Sequence, residues 1–166
     1  LYNAIEYKGN YCVEFFLANK EFSTYTIVVV LDTNLASNSV VKQTKEFNIV
    51  RQQKPNLSKA VYHVSLNLPY EDSNKLSDEK FANLARDYLE GMGFDENQYI
   101  IYKHFDQDHS HIHIVANRVN FSGNVVSDSH DYKRSETLIR KLEQKYQSKI
   151  GCFLIYERGL VIFIFF

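Results

Sequence analysis

The sequence predicts an α+β fold, a mainly antiparallel central sheet covered by helices with a histidine-bearing β-hairpin at its centre. Three observations carry this. Apolar residues alternate with period two in some segments and recur at i, i+3, i+4 in others. Two strand-like segments, "QYIIYKH" and "HSHIHIVANRVN", are separated only by the short loop "FDQD", so they must run antiparallel. No internal repeat or low-complexity linker interrupts the 166 residues. That length suits one domain, which buries roughly two-thirds of its unfolded surface.

Taken in order, the apolar run Ile27–Leu31 is expected as a strand and Ser39 to Ile49 as a helix. "KAVYHVSLNLP" alternates, with Val61, His63, Ser65 and Asn67 on one face and Tyr62, Val64, Leu66 and Leu68 on the other. It reads as a half-buried strand closed by Pro69. Ser77 can cap a helix whose Phe81, Leu84, Ala85, Tyr88, Leu89 and Met92 form one stripe, with Asp78 and Glu79 at its positive end. Gly91 and Gly93 mark its stop. "QYIIYKH" is the next strand, His109 to Asn120 its hairpin partner. A last helix is expected to begin at Ser135, with Leu138, Ile139, Leu142 and Tyr146 as its apolar side.

Composition is that of an ordinary globular protein, with 45% hydrophobic and 23% charged residues, 12 Tyr, 12 Phe and no Trp. A net charge of −1 gives no global signature of a nucleic-acid binder. Charge is nevertheless segregated. Lys42 to Lys59 holds five bases against one acid, and Lys133 to Lys149 six against two, so each nets +4. Glu71 to Glu96 holds eight acids and three bases, a net of −5. Solvated helix faces account for such runs, and so would a channel for a polyanion.

Cys12 and Cys152 are too few for a disulfide framework and fit no metal spacing, which points to a reducing cytoplasm. No signal peptide is visible, and the apolar runs Ile27–Leu31 and Leu160–Phe166 fall far short of the ~20 residues that span a bilayer, so no membrane insertion is expected.

Four of six histidines fall within ten residues: His104, His109, His111 and His113. Residues two apart in a strand point the same way, so His109, His111 and His113 share a face and Ile112, Ile114 and Ala116 take the other. A turn centred near Gln107–Asp108 sets His104 opposite His111, with Cβ atoms roughly 4.5–5.5 Å apart. His104, His111 and His113 can then converge on one ion, leaving open positions for water or phosphate. Asp106, in the loop, can orient one ligand through its second ring nitrogen. The plain alternative is a polar sheet face with solvated histidines.

The pattern His104-x-Asp106-x-x-His109-x-His111-x-His113, running on into "IVANRVN", resembles the signature of the relaxase/mobilisation nucleases, the HUH-type endonucleases of conjugative and mobilisable plasmids. "KPNLSKAVYHVSLNLP", "LSDEKFANLARDYLEGMGFDENQYII" and "VVSDSHDYKRSETLIRKLEQKY" look like relaxase sequence in the same order, so the likeness covers about Glu46 to Tyr146. The resemblance implies a relaxase-like domain over 1–146, incomplete at its N-terminus, and an atypical apolar tail, 147–166, with no family counterpart.

It also implies a bacterial cytoplasmic enzyme that nicks and rejoins single-stranded DNA at an origin of transfer through a tyrosyl-DNA link, assisted by Mn²⁺ or Mg²⁺. Accessory mobilisation proteins and a coupling protein would be its partners. Metal ligands carry over to His104, His111 and His113, with His109 and Asp106 as supporting catalytic groups and His109 the rival ligand. Asn117 and Arg118 are expected on the phosphate backbone, and Ser127, Tyr132, Lys133 and Arg134 along the DNA strand. His63 and Ser65 are expected either to line the cleft or to be satisfied core polar groups.

One departure concerns the nucleophile. The family's tyrosine position falls on Phe15 or Phe16 within "YCVEFFLANKE", and phenylalanine carries no hydroxyl. Tyr11 is the nearest candidate, with Tyr25 and Tyr7 further off. A DNA-binding relative without the nucleophile is therefore a second reading. "HSHIHIV" also resembles the histidine-triad motif of nucleotide hydrolases, although Ser110 stands where that motif prefers an apolar residue.

Overall fold

The computed structural model describes residues 3–8, 11–15, 25–105, 107–156 and 160–164, with side chains over 29–105 and 107–152. In chain order these form β1 (Asn3–Lys8), β2 (Tyr11–Phe15), β3 (Tyr25–Thr33), α1 (Val40–Arg51), β4 (Val61–Asn67), α2 (Asp78–Gly91), β5 (Asn97–His104), β6 (His111–Asn120), α3 (Asp131–Tyr146), β7 (Gly151–Tyr156) and β8 (Leu160–Ile164). The strands make one sheet in the order β1-β2-β3-β5-β6-β4-β7-β8, antiparallel at every pairing. The expected α+β class holds, and the histidine hairpin of β5 and β6 lies in the middle of the sheet.

The two sheet faces divide the labour. Val64, Leu66 and Leu68 from the β4 segment and Ile112, Ile114 and Ala116 of β6 pack against Phe81, Leu84 and Tyr88 of α2 and Ile139 and Leu142 of α3. Each such aliphatic side chain contributes about 1.5–3 kcal/mol when fully buried. On the opposite face, Val40 and Phe47 of α1 pack on Ile100, Tyr102 and Val115, covering one end of the sheet. The histidines occupy the other end of that face.

α2 forms where the sequence places it. Ser77 Oγ accepts from the Lys80 amide at 3.3 Å, and Asp78 and Glu79 sit in the first turn. Gly93 ends it at φ +88°, a left-handed conformation that glycine adopts without strain, while the Phe94 amide donates back to Leu89.

Two boundaries differ from expectation. α3 starts at Asp131, one turn before Ser135. The left-handed His130 (φ 51°) turns the chain, the acidic Asp131 suits the helix N-terminus, and its Oδ1 accepts from the Tyr132 amide at 2.7 Å. β6 starts at His111 rather than His109, because the Ser110 amide and hydroxyl both donate to Ser73.

The sheet also continues past residue 146. β7 pairs with β4 and β8 with β7, so the segment set apart as a tail supplies two strands. Asp72 fixes the way in: its Oδ2 accepts from Ser148 Oγ at 2.9 Å and from the Lys149 amide at 3.0 Å. Bonding to Lys75, and then to these two donors, pulls the Asp72 carboxyl down to about 2.

Candidate metal centre

Register brings the imidazoles together. His104 pairs with His111 across the hairpin, as the sequence predicts, while His113 pairs with Tyr102 on one side and Ser65 on the other. His104 and His111 are buried, 3% and 1% exposed, and His113 keeps part of its surface open. The His104 and His113 rings stack with centroids 4.2 Å apart, and each lies within 5.6 Å of His111. One ring nitrogen from each of the three lies within 4.8 Å of the other two. One ion that held each nitrogen at about 2.0–2.1 Å would draw them closer than that.

A fourth imidazole joins them. His63, on β4, is 8% exposed, and its Nε2 lies 2.8 Å from His113 Nδ1. His111 Nδ1 donates to the His109 carbonyl at 3.3 Å. The His109 main chain thus holds that ring, and its own ring stands 5.6 Å from that of His111. Sequence periodicity put His63 on the face of Ser65, but only the pairing of β4 with β6 sets it beside His113.

Burial, followed by repulsion from His104, holds His63 down at about 4. His113 lies well below the ordinary range, first through burial and then through His104, His63 and His111. Both are therefore neutral near pH 7, the form a metal ligand must have. Their effect on stability has a definite sign. A histidine depressed in the folded protein binds protons more readily when unfolded, so stability is complete above about 6.5 and declines as pH falls towards about 4. Between pH 7 and 5 His63 alone is expected to remove about 2 kcal/mol, with His113 adding to it. Urea titrations at the two pH values measure this, in a window where carboxylates contribute little.

The cluster opens onto a cleft of about 670 Å³ bordered by Asn67, Tyr70, Gln107, His109, His111 and Lys149. Three imidazoles with room beside them fit a divalent transition ion that keeps positions for oxygen ligands.

The other expected site residues are distributed differently. Asp106 lies outside the described residues. Tyr11 lies on β2, paired with Val29, and its side chain is likewise outside them. Asn117 is 1% exposed and donates to Phe47 O and Gln98 Oε1, each at 3.0 Å, tying α1 to the sheet. Arg118, 5% exposed, donates to the carbonyls of Val126 and Lys59 and lies 3.3 Å from Asp128. Arg134 donates to the carbonyls of Ser127 and Met92, joining the start of α3 to the end of α2. Tyr132 is half-buried against the core, whereas Lys133 and Ser127 are exposed.

Among the described residues no helix is long and apolar enough to cross a membrane. Comparison with curated proteins and with solved structures gave no match. A family model described as "Relaxase: MobA/VirD2-like, nuclease domain" matches residues 16–148. That span takes in β3 to β6, the three helices and all four histidines of the cluster, including the flanking segments that a histidine-triad reading leaves unexplained. The chain thus belongs to the relaxase family, whose nuclease domains bind single-stranded DNA and nick it.

Proposed function

We propose that this chain binds a divalent ion through His104, His111 and His113 and uses it to nick and rejoin single-stranded DNA at an origin of transfer. The observation that carries this reading is the set of three ring nitrogens within 4.8 Å of one another, beside a cleft lined by His111 and His113 in a relaxase domain. When bound, the ion would withdraw charge from the non-bridging oxygens of the scissile phosphate. Mn²⁺ suits the site better than Mg²⁺, because Mg²⁺ favours oxygen ligands and dehydrates reluctantly.

The attacking group we assign is Tyr11. Tyr11 is the tyrosine nearest in the sequence to Phe15 and Phe16. Attack of its oxygen on phosphorus forms the 5′-phosphotyrosine bond and breaks the bond to the 3′-oxygen, which leaves as a hydroxyl. The reverse step reseals the strand. Asp106 is assigned to orient a ligand and His109 to support the cleft wall. Exposed Lys133 and Ser127 and the edge of Tyr132 are proposed to touch the DNA. Asn117, Arg118 and Arg134 would act on that surface by fixing its loops. Accessory mobilisation proteins and a coupling protein would complete the transfer machinery in a bacterial cytoplasm.

The test uses single-stranded oligonucleotides tiled across the origin of the encoding element, incubated with the protein and Mn²⁺. The expected products are a nicked strand and a denaturation-resistant adduct that peptide mapping places on Tyr11. Phe15 and Phe16 at the family's tyrosine position favour a second reading, a DNA-binding domain without strand transfer. Binding with neither nick nor adduct under any divalent ion would establish that reading and overturn the first.

A further inference from the structure

We propose that His63 is a positioning residue that locks His113 in the tautomer presenting Nε2 to the metal. This rests on the metal-binding reading above and adds a group outside the ligand set. Three observations support it. His63 Nε2 lies 2.8 Å from His113 Nδ1, so that nitrogen of His113 is engaged and Nε2 is the one left for a ligand. The contact joins two paired central strands, with His63 only 8% exposed. His111 uses its ring in the same sense, with Nδ1 on a carbonyl that can only accept, which sets its lone pair at Nε2.

The direction of the imidazole–imidazole bond then follows from valence. A neutral imidazole has one N–H and one lone pair. For Nε2 of His113 to bind a cation, Nδ1 must hold the proton and donate it to His63 Nε2. The reverse bond, with His63 donating, would leave an N–H of His113 aimed at the ion. His63 belongs to β4 and pairs with Val115, so it reaches His113 diagonally, at a spacing that long side chains can span. Residues that take the second nitrogen of a metal-bound histidine typically contribute 10–100-fold to metal affinity or activity.

Two measurements on the full chain decide this. Long-range ¹H–¹⁵N spectra of the metal-free protein above pH 7 should show His113 protonated at Nδ1 in the wild type. A wild-type spectrum with the proton at Nε2 overturns the proposal without any variant. Calorimetric titration with Mn²⁺ should show His63→Leu binding about 10–100-fold more weakly. His63→Gln, whose amide oxygen can accept the same proton, should recover most of that loss. Equal affinity in the wild type and His63→Leu overturns the proposal alone, as does a loss that His63→Gln fails to recover. Absence of any Mn²⁺ binding to the wild type overturns the metal reading, and this inference with it.

Discussion

Replacing either His111 or His113 by alanine is expected to abolish stabilisation by Mn²⁺ and to cut nicking by at least about 100-fold. A ligand at 100 times its dissociation constant stabilises the folded state by about 2.7 kcal/mol. In a domain of this size that corresponds to a rise in Tm of roughly 5–10 °C. Losing one nitrogen of three removes most of that binding. Each 1.36 kcal/mol withdrawn from the transition state then costs a factor of ten in rate, and charge stabilisation by a metal supplies several kcal/mol. Metal-free stability of His113→Ala should change little near neutral pH, because that partly open ring lines the cleft rather than the apolar cluster beneath α2 and α3, whereas the buried His111 also leaves a cavity. Differential scanning fluorimetry with and without Mn²⁺ makes the comparison. An undiminished shift in both variants would remove these two histidines from the ligand set.

Ile112→Ala, at the position between those two, is expected to have the opposite profile. Ile112 is 0% exposed and packs in the main core, on the sheet face away from the histidines. Truncating a buried isoleucine to alanine costs about 2–5 kcal/mol, combining lost transfer energy with the cavity left behind. The variant should unfold at much lower urea while its folded fraction binds Mn²⁺ with near wild-type affinity. Three consecutive positions would thus alternate between function and stability, as a strand with two differently employed faces requires. Equal loss of affinity and stability in Ile112→Ala would mean that the two faces are mechanically coupled.

Much of this was legible in the chain. Period-two alternation defined β4 and both faces of β6, and the i, i+3, i+4 stripe defined α2 together with its Ser77 cap. A turn centred near Gln107–Asp108 set the hairpin register, so the pairing of His104 with His111 could be predicted to the residue, although β6 begins two residues later than expected. These features are local, and local spacing decides them.

Residues whose role depends on distant partners could not be read this way. Arg118 looks like a phosphate contact in isolation, yet its donors reach carbonyls on either side in the sequence, at Lys59 and Val126. Asn117 likewise serves α1, through Phe47. The strands β7 and β8 find their place only because β4 offers an open edge and Asp72 anchors Ser148 and Lys149. His63 is the clearest instance. Its face follows from alternation, but its neighbour depends on β4 lying beside β6, with fifty residues of chain between the two imidazoles. The sequence by itself determined which histidines share a hairpin, because a short loop allows one register. Only the tertiary structure decided which group sits behind His113, because strand order in a sheet is a choice among long-range pairings that local spacing leaves open.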